Sequence, residues 1–80
     1  MSNIINHKSG AVSKDGGRTF LYRGWIISRN ELITGEFLGY LLIDESGYFD
    51  PDDKRFFTVW KATAEIDRRI YNEWAEEEVL

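Results

Sequence analysis

His7 is the only histidine in the chain, and it stands in a polar N-terminal stretch without a Ser and Asp arranged around it. A general base needs neighbours that fix its tautomer and pKa, so a solvated side chain is expected at His7. Asp50, Asp52 and Asp53 form the next cluster that could do chemistry, and calcium is the ion their oxygens would suit. An EF-hand loop needs acids at alternating positions, a glycine and a distal glutamate, whereas Pro51 interrupts this run and the ligand order does not fit. Gly16-Gly17 before Arg18 lacks the spaced Lys-Ser/Thr of a phosphate-binding loop and reads as a turn. With no cysteine, a thiol nucleophile, a disulfide scaffold and the usual zinc finger are excluded. No catalytic constellation, metal site or cofactor site is therefore expected.

Carboxylates are the remaining chemistry. Residues 1–29 hold five basic side chains against Asp15 alone, whereas residues 30–80 hold five against thirteen acidic ones. Asp44, Glu45, Asp50, Asp52 and Asp53 lie within ten residues, and Glu65, Asp67, Glu73, Glu76, Glu77 and Glu78 follow. A net charge of −4 repels phosphate at long range and favours a basic partner. An array of surface carboxylates can occupy a groove set for phosphates, which is nucleic-acid mimicry. The competing nucleic-acid reading takes Arg18, Arg23, Arg29 and Lys54-Arg55, interleaved with Phe20, Tyr22 and Trp25, as a base-stacking sheet. Like charge from the acidic loop and helix would surround such a patch, so direct nucleic-acid binding is not expected.

The elements that must position these groups follow from periodicity. Residues 1–17 are polar and glycine-containing, an arm expected to be flexible or loosely paired, leaving a single domain over 18–80. Thr19–Tyr22 and Trp25–Arg29 flank Arg23-Gly24, a spacer suited to a tight hairpin. Phe37–Ile43 is apolar on both faces, which predicts a central strand. Asp44–Gly47 is a polar turn, and Tyr48-Phe49 is expected to restart a short strand. Thr58 can cap a helix over about 58–77, whose stripe Ala62, Ile66, Ile70 and Trp74 recurs every four residues. Asp67, near the boundary of this stripe, is placed to accept from an aromatic hydroxyl or an arginine. The fold class is α+β: a small antiparallel sheet of three to five strands (about 19–57) with one long C-terminal helix on one face.

One helix covers one face of one small sheet, yet twelve aromatic side chains and several two-sided apolar strands need cover. The helix also has a second flank, Trp60, Ala64, Tyr71 and Ala75. Either the arm folds over the second sheet face, or that face binds a partner or a second copy; monomer and homodimer both stay open.

The segments Tyr22-Arg-Gly-Trp-Ile-Ile27 and Phe57-Thr-Val-Trp-Lys-Ala-Thr-Ala-Glu-Ile-Asp67 resemble a hairpin-then-helix arrangement common in very small proteins of phages and mobile elements. The chain is similar in kind to anti-CRISPR inhibitors: short, acidic, cysteine-free and without catalytic apparatus. The resemblance covers about residues 19–70, and since that family shares no common motif it carries over no functional residue. It implies stoichiometric inhibition of a CRISPR surveillance complex at the surface that reads the DNA target. The expected partner contact is Asp44, Glu45, Asp50, Asp52, Asp53, Glu65, Glu73 and Glu76, with aromatic contacts from Tyr40, Tyr48, Trp60 and Tyr71. No apolar run reaches the roughly 20 residues of a bilayer span, and the start lacks a basic segment followed by an apolar core. A cytoplasmic location is expected; the alternative to an inhibitor is a homodimeric structural or accessory protein of a phage or bacterium.

Overall fold

The computed structural model describes residues 3–79, with side chains through Ala75. Five antiparallel strands lie in sequence order: β1 (Ile5–Asn6), β2 (Val12–Ser13), β3 (Thr19–Tyr22), β4 (Trp25–Glu31) and β5 (Phe37–Ile43). Helix α1 (Val59–Val79) follows, giving the α+β arrangement that the pattern predicts.

β3 and β4 pair from Thr19↔Ser28 to Tyr22↔Trp25, so Arg23-Gly24 is a two-residue turn. Both turn residues have positive φ, 51° and 84°, the conformation that matches the twist of the flanking strands. Arginine rarely adopts it. Here the turn aims the Arg23 guanidinium at Asp67 of α1, 2.9 Å away.

Alternation along the strands sends Phe20, Ile27, Tyr40 and Leu42 to one face, where Ala62 and Ile66 of α1 complete a buried cluster. The Thr58 hydroxyl caps α1 by accepting from the Lys61 amide at 3.1 Å. Along the stripe, Ala62 and Ile66 are fully buried, Ile70 is partly buried and Trp74 is 55% exposed. A helix of 21 residues is about 31 Å long and a strand of seven about 23 Å, so α1 overruns the sheet.

β5 is an edge strand, not the central strand expected from its two apolar faces. Its outer edge is shielded locally, because the Tyr40 and Phe56 backbones exchange hydrogen bonds of 2.6 and 3.1 Å. This return of the chain takes the place of a sixth strand. Tyr48-Phe49 forms no strand; the Tyr48 carbonyl accepts from the Asp44 amide and closes the turn.

The N-terminal residues extend the sheet as β1 and β2, and their connecting loop packs on the helix side. There His7 lies edge-on to Trp60 and Phe20, with ring centroids 5.2 and 6.2 Å apart, and Ala11 is fully buried. His7 is thus half-buried, where a solvated residue was expected. Its Nδ1 lies 2.7 Å from the Ser9 hydroxyl.

The β2–β3 turn is organised by Asp15, whose carboxylate accepts from the Thr19 amide (3.0 Å), the Thr19 hydroxyl (2.7 Å) and the Ser13 hydroxyl (2.8 Å). These donors, those of Thr19 foremost, lower its pKa from 3.8 to about 2. Folding therefore favours the ionised form, and the contribution is present above the ordinary value and lost as pH falls through about 2. Asp44 and Glu65 are lowered in the same sense. Stability is expected to fall as the chain is acidified through this window, and by less in Asp15→Asn. Thermal melts at about pH 5 and about pH 2.5 read this directly. An identical acid loss in both proteins would remove Asp15 from the account.

Candidate functional site

The predicted acidic residues divide into two groups with different electrostatics. Asp44 and Glu45 follow β5, and Glu73 projects from α1; together with Arg23, Trp25 and Ile70 they line a cleft of about 370 Å³. The Asp44 carboxylate accepts from the Ser46 hydroxyl (2.6 Å), the Ser46 amide (2.9 Å) and the Tyr48 amide (3.1 Å). These bonds, the hydroxyl's first, hold its pKa below the usual carboxylate range and fix the charge in one place. Arg23, the cation lining the cleft, bonds to Asp67 (2.9 Å), so part of its charge is already answered. Tyr22 donates its hydroxyl to the same carboxylate at 2.9 and 3.0 Å, as expected for Asp67. Burial, then this hydrogen bond, pushes the Tyr22 pKa up.

In the second group, Asp53 and Glu65 are paired with cations. Asp53 accepts from Arg69 at 2.7 Å, and Arg69 also reaches Glu65 at 3.3 Å. Arg68 pairs with Glu65 as well, and that hydrogen bond is the main reason the Glu65 pKa is lowered. Asp53 and Glu65 are thus ion-paired with the helix arginines, so part of their charge is already answered within the chain. Asp50 and Asp52 stay exposed in the loop, where the Asp50 carboxylate accepts from the Asp52 amide at 2.9 Å. Glu76 lies beyond the residues whose side chains are described.

The aromatic residues divide as sharply. Tyr40 is only 8% exposed, because its ring packs edge-on against Phe20 and Phe37 in the core, so it is not a surface contact. Tyr48, Trp60 and Tyr71 are exposed. Trp74, assigned to the core by its spacing, instead leans on Tyr71 with ring centroids 6.2 Å apart, where α1 overruns the sheet. The exposed end of the helix therefore presents Tyr71 and Trp74, three residues apart, on one side, whereas Glu73 points away from Tyr71 toward the cleft.

The base-stacking alternative loses its platform. Phe20 is buried in the core, and Tyr22 and Trp25 pack against it on the face that α1 occupies. Arg29 is turned to Glu31 and lies 4.4 Å over the Phe37 ring. Among the described residues, no group of three or more His, Asp or Glu side chains is placed to hold a metal, and no helix is long and apolar enough to cross a membrane.

Sequence reasoning found Asp44, Glu45 and Glu73 individually but not their convergence, which depends on where α1 crosses the sheet. Comparison with protein-family models, curated proteins and solved structures found no match, so the functional reading rests on this arrangement of charged and aromatic groups.

Proposed function

We propose that the chain is a non-catalytic, protein-binding inhibitor that presents its carboxylates to a basic, nucleic-acid-binding surface of a partner protein. The observation that carries this reading is the convergence of Asp44, Glu45 and Glu73 from two elements on one cleft, with Asp44 locked by three turn hydrogen bonds. Fixed anionic charge complements a groove built for phosphates without the entropy cost of ordering flexible side chains on binding. Exposed Trp74, which follows Glu73 on the helix, supplies apolar contact that electrostatics alone lacks. Anti-CRISPR activity, by blocking the surface with which a CRISPR surveillance complex reads its DNA target, is the specific form we favour. It would place the chain in a bacterial cytoplasm, encoded by a phage or other mobile element.

The test is the triple variant Asp44→Asn, Glu45→Gln, Glu73→Gln. The amide oxygen introduced by Asp44→Asn can still accept the turn hydrogen bonds, so the fold is expected to survive while three charges disappear. Proteins captured by the immobilised wild type from nuclease-treated bacterial lysate are expected to bind the variant about tenfold or more weakly at low salt. Their elution should also depend less steeply on salt. Equal retention by both proteins would exclude the cleft as the contact.

A further inference from the structure

A second hollow, of the opposite charge, lies toward the other end of the sheet from the acidic cleft. Strand alternation puts Arg18 and Arg29 on the helix-side face with Phe20 and Tyr40. The Arg29 amide donates to the Arg18 carbonyl at 2.8 Å, which continues the β3–β4 register and sets the two arginines directly opposite each other. Like charges in that position repel unless an anion answers them. Glu31 answers Arg29, whose guanidinium also lies over the Phe37 ring of β5 at 4.4 Å. Arg18 has no ion pair among the described residues. Both arginines line a hollow of about 430 Å³, together with buried Phe20 and Tyr40 and with exposed Ile5 of β1. Its charged lining is these two arginines and Glu31, one net positive charge in a chain of net −4.

We propose that this hollow binds an organic monocarboxylate with an apolar body. The planar fork of Arg18 matches a carboxylate through two parallel hydrogen bonds. The carboxylate supplies the counter-charge that Arg18 lacks opposite Arg29, and the body of the ligand meets Ile5 and the rings beneath. Glu31 disfavours a dianion such as phosphate, which it repels twice as strongly as a monoanion. A free aromatic acid and the C-terminal residue of a peptide both present this chemistry. A ligand of about ten heavy atoms in a site open to solvent binds weakly, with a dissociation constant on the order of 1–10 mM. The site is separate from the acidic cleft, because Arg29 stands four residues along β4 from Trp25, about 13 Å away. Either site can therefore fail its test without the other.

Amide NMR titration of the full chain at low salt tests this with benzoate, acetate, N-acetylphenylalanine and inorganic phosphate as probes. Benzoate is expected to shift the amides of Gly17, Arg18, Arg29 and Glu31 saturably. Acetate, which has no apolar body, and phosphate should each bind at least about threefold more weakly. N-acetylphenylalanine binding more tightly than benzoate assigns the hollow to a chain terminus, and the reverse order to a free acid; both support the site. Arg18→Gln should weaken benzoate at least about fivefold. Should Arg18→Gln lose its dispersed amide spectrum, Arg18→Lys decides, with binding at least about twofold weaker supporting the proposal because the charge stays and the fork is lost. Benzoate shifts that do not saturate by about 50 mM, several times the expected dissociation constant, overturn the proposal. So does acetate or phosphate binding as tightly as benzoate. A folded Arg18→Gln, or an Arg18→Lys serving in its place, that binds benzoate like the wild type overturns it equally.

Discussion

Gly39→Val is expected to destabilise the fold by about 2–4 kcal/mol, lowering the urea midpoint at unchanged slope. Two penalties meet at this position. Gly39 has φ 98°, at the register shift opposite Asn30 and Glu31, a conformation that side-chain-bearing residues rarely adopt. A Cβ there would also stand 2.7 Å from the Arg55 Cβ and 3.2 Å from the Phe56 carbonyl oxygen. Neither neighbour can give way freely, because the Phe56 backbone is bonded to Tyr40 and leads directly into the cap of α1. Gly35→Ala supplies the comparison, since Gly35 has φ 92° with open space around it and carries the conformational penalty alone. It should cost only about 1–2 kcal/mol. Similar losses from the two substitutions would mean that the close approach of residues 55–56 to β5 contributes nothing.

Ile66→Ala should cost about 2–5 kcal/mol, against a total near 4–12 kcal/mol for a chain of this length. Ile66 is fully buried in the helix stripe and belongs to the core cluster with Ile27 and Leu42. Trp74→Ala, two turns further along the same stripe, should cost less than about 1 kcal/mol of stability, because Trp74 has already run past the sheet. The contrast separates the packing half of α1 from its presenting half. Equal losses at both positions would show that the helix end is anchored and unavailable to a partner.

Local signals made the helix and the central hairpin readable from sequence. The four-residue recurrence from Ala62, the capping Thr58 and the Arg23-Gly24 spacer each act within a few residues, and each appears where expected. β1 and β2 are two residues each, too short for any alternation to register. Phe37–Ile43 misled for a physical reason: apolar residues on both faces report that both faces are covered, as Tyr40 and Leu42 are on one side and Leu41 on the other, and do not report whether a strand pairs along both edges. The site was half legible. The sign of the charge was visible in the list of carboxylates. Which of them stay free depends on partners such as Arg69 for Asp53, sixteen positions away, and Arg23 for Asp67, forty-four away. Such pairings belong to the crossing of α1 over the sheet and leave no local pattern. Trp74 shows the same limit, since periodicity assigns a face but not the length of the surface beneath it.

Competition by nucleic acid tests the central claim most directly. Proteins held by the immobilised chain after nuclease treatment of a bacterial lysate should be released by added duplex DNA, with half-release set by their own DNA affinity. Both ligands would then be claiming one basic surface. Proteins that stay on the chain while binding DNA at the same time would contradict the mimicry account, whatever their identity.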